Sequence, residues 1–137
     1  MNTQMKDIIE YCNGIKLLYA EDNDSAREFT LELLSRFFKT IHIAKDGREG
    51  LNIFKSEKID LVISDVNMPK MDGLVMSSEI KKVDKNLPII LLSAHNENNF
   101  IDLAKEIGIE TYLEKPLNLM KLIELLSIFA NRKTNGE

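Results

Sequence analysis

One cysteine, no tryptophan and three prolines among 137 residues exclude several ways of holding a chain together. The lone Cys12 can form no intrachain disulfide and belongs to no cysteine framework for a metal, which favours a reducing compartment. The opening residues MNTQMKDIIEYCNG lack a basic stretch followed by a continuous apolar one, and no later run approaches the length of a membrane span. A cytoplasmic protein with no membrane partner is therefore expected. An excess of positive charge is missing as well: 18 Lys and Arg stand against 22 Asp and Glu, for a net charge of −4, so no nucleic-acid surface is indicated. Low-complexity tracts, internal repeats and an interior linker are absent too.

What remains is an ordinary globular composition, 44% apolar and 29% charged. The chain is long enough for one domain that buries roughly two thirds of its unfolded surface. Short apolar runs alternate with helix-period segments. IKLLYA at 15–20 is followed by DSAREFTLELLSRFF at 24–38, whose Ala26, Phe29, Leu33 and Phe37 fall on one helical face. TIHIA at 40–44, a turn at Asp46 and Gly47, and a short helix through Leu51 and Phe54 lead to DLVISD at 60–65. GLVMSSEIKKV precedes PIILLS at 88–93, a helix through Phe100, Leu103, Ala104 and Ile107, then ETYLE at 110–114 and LNLMKLIELLSIFA. Asn23 or Asp24 stands where an N-cap is wanted and Gly108 where a glycine just past a helix end is wanted.

Five nearly apolar strands separated by five helices predict an α/β domain, a doubly wound parallel sheet covered on both faces. The domain is assigned to residues 14–130. Residues 1–13 form an N-terminal extension in which Met5, Ile8, Ile9 and Cys12 have the spacing of a short helix. NRKTNGE at 131–137 reads either as a polar tail or as the start of a linker.

In an open parallel sheet, chemistry collects at the carboxyl ends of the strands, beside the place where strand order reverses. The first strand delivers Glu21 and Asp22 there, the third Asp65 with Asn67 two residues on, the fourth Ser93 and the fifth Lys115. In a five-stranded order 2-1-3-4-5 the first and third strands are neighbours, and Glu21, Asp22 and Asp65 converge. Three carboxylates at one point repel unless they share a cation. Oxygen donors without cysteine select a hard ion, and Mg2+ suits a few carboxylates together with phosphate oxygens. Lys115 and Ser93 would cover the oxygens of a transferring phosphoryl group, with Asp65 as the nucleophile.

The acidic pair in LLYAEDN, the DVNMPKMDG segment, Ser93 with Ala94, and the TYLEKP run at 111–116 together resemble the receiver domains of two-component response regulators, including the chemotaxis regulators. The resemblance covers residues 14–130. It implies a flavodoxin-like (βα)5 sandwich and a phosphorelay signalling role rather than an enzyme acting on small molecules. Asp65 would be phosphorylated by a sensor histidine kinase or phosphotransfer protein. Mg2+ would be bound by Asp22, by Asp65, by Glu21 through water and by the backbone carbonyl of Asn67. Lys115 would contact the phosphoryl group, and its bond to Pro116 is expected to be cis. Ser93 and Tyr112 match the switch positions, while Asn67 and His95 flank the site where the lifetime of the acyl phosphate is tuned. The surface around the repeat's fourth helix, fifth strand and fifth helix would change its preference for a downstream effector and offer a dimer contact. Two positions depart from the pattern: Glu21 stands where many members carry Asp, and Leu117 where Phe commonly follows the Lys-Pro pair.

Each residue also has a plainer use. Asp65 could cap a turn, Glu21 and Asp22 could be a solvated loop pair, and Tyr112 could be ordinary strand packing. Two other functions remain open on this fold: a binding adaptor independent of phosphorylation, and a phosphatase with an aspartate nucleophile. The latter places its nucleophile after the first strand in a DxD pattern, whereas DVN here follows the third.

Overall fold

The apolar runs fold as strands because each is too short and too rich in β-branched and leucine side chains to do anything but cross a core once. The computed structural model describes residues 3–94 and 99–134, so His95 lies outside the described residues. In chain order the elements are α1 Thr3–Asn13, β1 Lys16–Ala20, α2 Asp24–Leu34, β2 Thr40–Ala44, α3 Gly47–Ser56, β3 Leu61–Asp65, α4 Gly73–Val83, β4 Ile89–Ser93, α5 Ile101–Glu106, β5 Tyr112–Glu114 and α6 Leu119–Thr134. All strand pairs are parallel, and the sheet order is β2-β1-β3-β4-β5, as expected from the alternating pattern.

Successive side chains on a strand point to opposite faces, and here the alternation sorts the core into two layers. Leu17, Tyr19, Leu61 and Ile63 pack with α1, α2 and α6, through Ile8, Leu34, Phe37, Phe38, Leu126 and Phe129. Leu18, Ala20 and Val62 pack with α3, α4 and α5, through Leu51, Met76, Ile80, Phe100 and Ala104. Side chains of Asn23, Asp46 and Asp72 accept from the backbone N–H three residues on and cap α2, α3 and α4. Each such cap stabilises by about 1 kcal/mol. Gly108, with φ of 89°, follows the end of α5 in the left-handed region that glycine enters without cost.

The extension forms a true helix. Ile8 and Cys12 are fully buried in the same cluster as Leu126 and Phe129 of α6, Tyr11 meets Phe129 edge-on at 6.5 Å, and Gln4 donates to Ser127 Oγ at 2.7 Å. Burial pushes the Cys12 thiol up to about 12, so it packs as a small hydrophobe.

Three local expectations are corrected. Phe29 does not face the core with Leu33; it is 52% exposed, and Thr30 takes the inward position. An inward stripe through 30, 33 and 34 at 100° per residue turns position 29 outward. The helix starting at Asp24 stops at Leu34 rather than running to 38. Past Leu34 the chain continues in turns, with the Phe37 and Phe38 N–H groups both donating to the Leu34 carbonyl, and both rings reach the core. At the other end α6 runs beyond Ala130 to Thr134, through Arg and Lys, which favour helix, and the Arg132 guanidinium sits 5.9 Å from the Phe129 ring centroid. No helix among the described residues is long and apolar enough to cross a membrane.

Candidate functional site

β1 turns to β2 on one side and stands against β3 on the other, so the reversal of strand order lies at the carboxyl ends of β1 and β3. Ala20 is level with Ser64, which brings the next residues, Glu21 and Asp65, side by side. The Glu21 N–H still bonds the Ala44 carbonyl at 3.0 Å, continuing the ladder one residue past the strand. The alternation then carries the Glu21 and Asp65 side chains onto the face of Tyr19 and Ile63, at its upper rim.

Glu21 is 1% exposed and Asp65 5%, while Asp22 is open to solvent. The three offer carboxylate oxygens that all lie within 4.8 Å of one another. Lys115 reaches the same point from β5: its N–H donates to the Ser93 carbonyl at 2.7 Å, and its bond to Pro116 is cis, as expected. Its Nζ donates to Glu21 Oε1 at 3.1 Å and to Asp65 Oδ2 at 3.0 Å.

These neighbours set the proton affinities. Burial is the largest influence on Asp65 and the Glu21 charge adds to it; the Lys115 bond opposes both, and the carboxyl ends up raised to about 7. Burial alone would lower Lys115, but its bonds to Asp65 and Glu21 outweigh that and hold the ammonium above its ordinary value. One ammonium does not balance three carboxylates, and the all-oxygen donor set fits a hard divalent ion such as Mg2+.

The remaining expected residues are less tightly gathered. Ser93 is buried at the end of β4, one residue beyond Leu92, the partner of Asp65. Asn67 is exposed on the loop leaving β3. Tyr112 lies on the edge strand level with Leu91; its hydroxyl donates to the Ile109 carbonyl at 2.7 Å, and its ring meets Phe100 edge-on at 5.4 Å.

Two contributors escaped the sequence reading. Gly73 donates to the Val66 carbonyl at 2.7 Å, and a Cβ there would overlap the Asp65 carbonyl oxygen. Its signal is the Asp72–Gly73 pair that closes the DVNMPKMDG segment. Arg27 donates from Nη1 to the Glu21 carbonyl at 3.0 Å and to the Asp22 carbonyl at 3.5 Å, and from Nη2 to Asp24 Oδ1 at 2.6 Å. Its signal was the three-residue spacing of Asp24 and Arg27 on one helix.

A parallel doubly wound sheet with a buried acid, an ammonium and a cation-sized acidic cluster at its switch point defines a class of α/β domains built for phosphate chemistry. The family is specific: the profile of the response regulator receiver domain matches residues 17–127, and the chain belongs to that family. It is 30% identical over 120 residues to the response regulator MprA of Mycolicibacterium vanbaalenii, covering 88% of this chain and 52% of that one. It is 32% identical over 118 residues to the transcriptional regulatory protein PdtaR of Mycobacterium tuberculosis, covering 85% and 57%. The chain thus spans little more than half of these relatives. Among solved structures, the N-terminal domain of an uncharacterized Wolinella succinogenes protein superposes with a TM-score of 0.80 at 34% identity, covering 90% of this chain and all of that one. A receiver domain from Clostridium thermocellum gives 0.78 at 30%, covering 90% and 99%. Receiver domains are signalling domains of response regulators; phosphorylation by a histidine kinase is their general function, and phosphoaspartate and Mg2+ are typical of them.

Proposed function

We propose that Asp65 is the phosphoacceptor of a two-component phosphorelay and that Glu21, Asp22, Asp65 and the backbone carbonyl of Asn67 hold Mg2+. The observation that carries the reading is the Lys115 ammonium seated between Glu21 and Asp65 at 3.1 and 3.0 Å, with Asp65 buried at the end of β3. When bound, Mg2+ would supply charge that lets an anionic phosphoryl group approach the acids. An Asp65 carboxylate oxygen forms a bond to phosphorus as the bond from phosphorus to the donor's histidine nitrogen breaks. Lys115 then pairs with a phosphoryl oxygen in place of the Asp65 charge.

Ser93 donates its hydroxyl to the phosphoryl group and Tyr112 responds, which biases the α5–β5–α6 surface between two arrangements. Asn67 and His95 set the rate at which water returns the phosphoryl group to phosphate. The domain comprises residues 14–130, with 1–13 as a helical extension and 131–137, whose first four residues continue α6, as a polar tail or the start of a linker. Its partners are a sensor histidine kinase or phosphotransfer protein and a downstream effector, with dimer contact through α5–β5–α6, and the same reading assigns it to the cytoplasm.

Incubation with Mg2+ and a small acyl-phosphate donor, followed by intact mass measurement, tests this. A gain of one phosphoryl group that Asp65→Asn abolishes is expected. Continuous phosphate release from esters would point instead to a phosphatase, and no gain at all to an adaptor; either overturns the proposal.

A further inference from the structure

Asp22 poses a problem of aim. Burial, a strand ladder and Lys115 fix the directions of Glu21 and Asp65, but Asp22 lies in a loop with its side chain in solvent. An exposed carboxylate on a mobile loop loses entropy on joining a shared ion, so something must hold its backbone if it is to be a ready ligand.

Arg27 does so from below. The two peptide units flanking the Asp22 Cα carry the Glu21 and Asp22 carbonyls, and a single guanidinium nitrogen, Nη1, donates to both. The second unit is also held at its other edge, where the Asn23 N–H donates to Glu21 Oε2 at 3.2 Å. With both peptide planes set, the direction of the Asp22 Cα–Cβ bond is set too. Arg27 is itself anchored: its side chain is only 12% exposed, Nη2 pairs with Asp24, and its N–H continues α2 onto the Asn23 carbonyl at 2.9 Å. Such burial is unusual for a charged side chain unless its donors are used.

We propose that Arg27 is a positioning residue that aims the Glu21–Asp22 pair at the divalent cation. This rests on the Mg2+ reading above. The sign of the effect separates the role from simple electrostatics. Arg27 adds positive charge beside a cation site, so on Coulomb grounds alone its removal should tighten Mg2+ binding. Positioning demands the opposite. Lysine keeps the charge but not the planar fork: its donors radiate from one nitrogen, whereas the three bonds leave Arg27 from Nη1 and Nη2.

The test is calorimetric titration of Mg2+ into the parent, Arg27→Lys and Arg27→Ala proteins, with chemical unfolding in chelator to confirm that each is folded. The dissociation constant should rise about tenfold in Arg27→Ala, the range seen when a group supporting a metal ligand is lost, and by a smaller factor in Arg27→Lys. Unchanged or tighter binding in Arg27→Ala, or full affinity in Arg27→Lys, overturns the clamp while leaving the metal site standing. A parent that binds no Mg2+ overturns both.

Discussion

The two faces of the sheet are closed by different means. On the α1–α2–α6 face, large side chains fill the space: Ile8, Phe37, Phe38 and Phe129 close over Leu17, Tyr19, Leu61 and Ile63. On the α3–α4–α5 face, side chains are small or missing where the backbone draws in, as at Ala20, Ala44 and Gly73. There the loop after β3 is pinned by backbone bonds, Gly73 N–H to the Val66 carbonyl and Gly47 N–H to the Met71 carbonyl at 2.9 Å. Large side chains such as Met76, Ile80 and Phe100 fill the second face too, but there close backbone approach also shapes a loop. Glu21 and Asp65 stand at the rim of the first, filled face, yet the chain leaving Asp65 is shaped on the second.

Neutralising the acid on that rim should have the largest effect. Asp65 has a carboxyl raised to about 7 from an ordinary 3.8, so the folded state binds its proton more tightly than the unfolded chain. The stability this contributes is fully present below about pH 4 and is lost as pH rises through about 7. In chelator, Asp65→Asn should therefore match the parent near pH 4 and exceed it by up to about 4 kcal/mol at pH 8, read by urea unfolding. Equal stability at both pH values would mean that burying this charge costs nothing.

Gly73→Ala comes next, because its Cβ has no space beside the Asp65 carbonyl. It should destabilise by about 3 kcal/mol and slow phosphorylation as well, since the strain falls on the residue that accepts the group. On the filled face, Ile8→Ala should cost about 2–3 kcal/mol by leaving a cavity between α1 and α6. Its phosphorylation rate should stay within about twofold of the parent, and a larger loss would show that the filled face acts on the site and does more than support it. The smallest effect belongs to Lys70, held at φ 65° with a largely exposed side chain whose Nζ stands 3.8 Å from Asp46 Oδ2. Lys70→Gly should gain about 0.5–1 kcal/mol by relieving a left-handed residue that has a Cβ.

Much of this was legible in the chain itself. The five apolar runs, the Asn23 cap and Gly108 rest on local chemistry, where a few neighbouring residues decide the outcome. The acids and Lys115 could be picked out because each closes an apolar run or stands beside a proline, where a plain surface residue has no reason to recur. Phe29 could not be placed, since its neighbours allow two helix phases and only packing against the sheet chooses between them. The length of α6 was equally hidden: Arg132 and its neighbours favour helix, but the Phe129 ring beside Arg132 packs edge-on against Tyr11 of α1, a contact between distant parts of the chain.

Period, punctuation and charge sign, which are properties of near neighbours along the chain, determined that this is a parallel α/β domain carrying acids and a lysine at its strand ends. Their meeting was decided by tertiary structure. Lys115 Nζ comes within 3.1 Å of both Glu21 and Asp65 only because β1 lies beside β3 and the pairing of β5 with β4 carries the lysine to the same rim. A raised Asp65 and an Arg27 seated under the acidic loop follow from that meeting, because burial and distance are quantities that no single stretch of sequence contains.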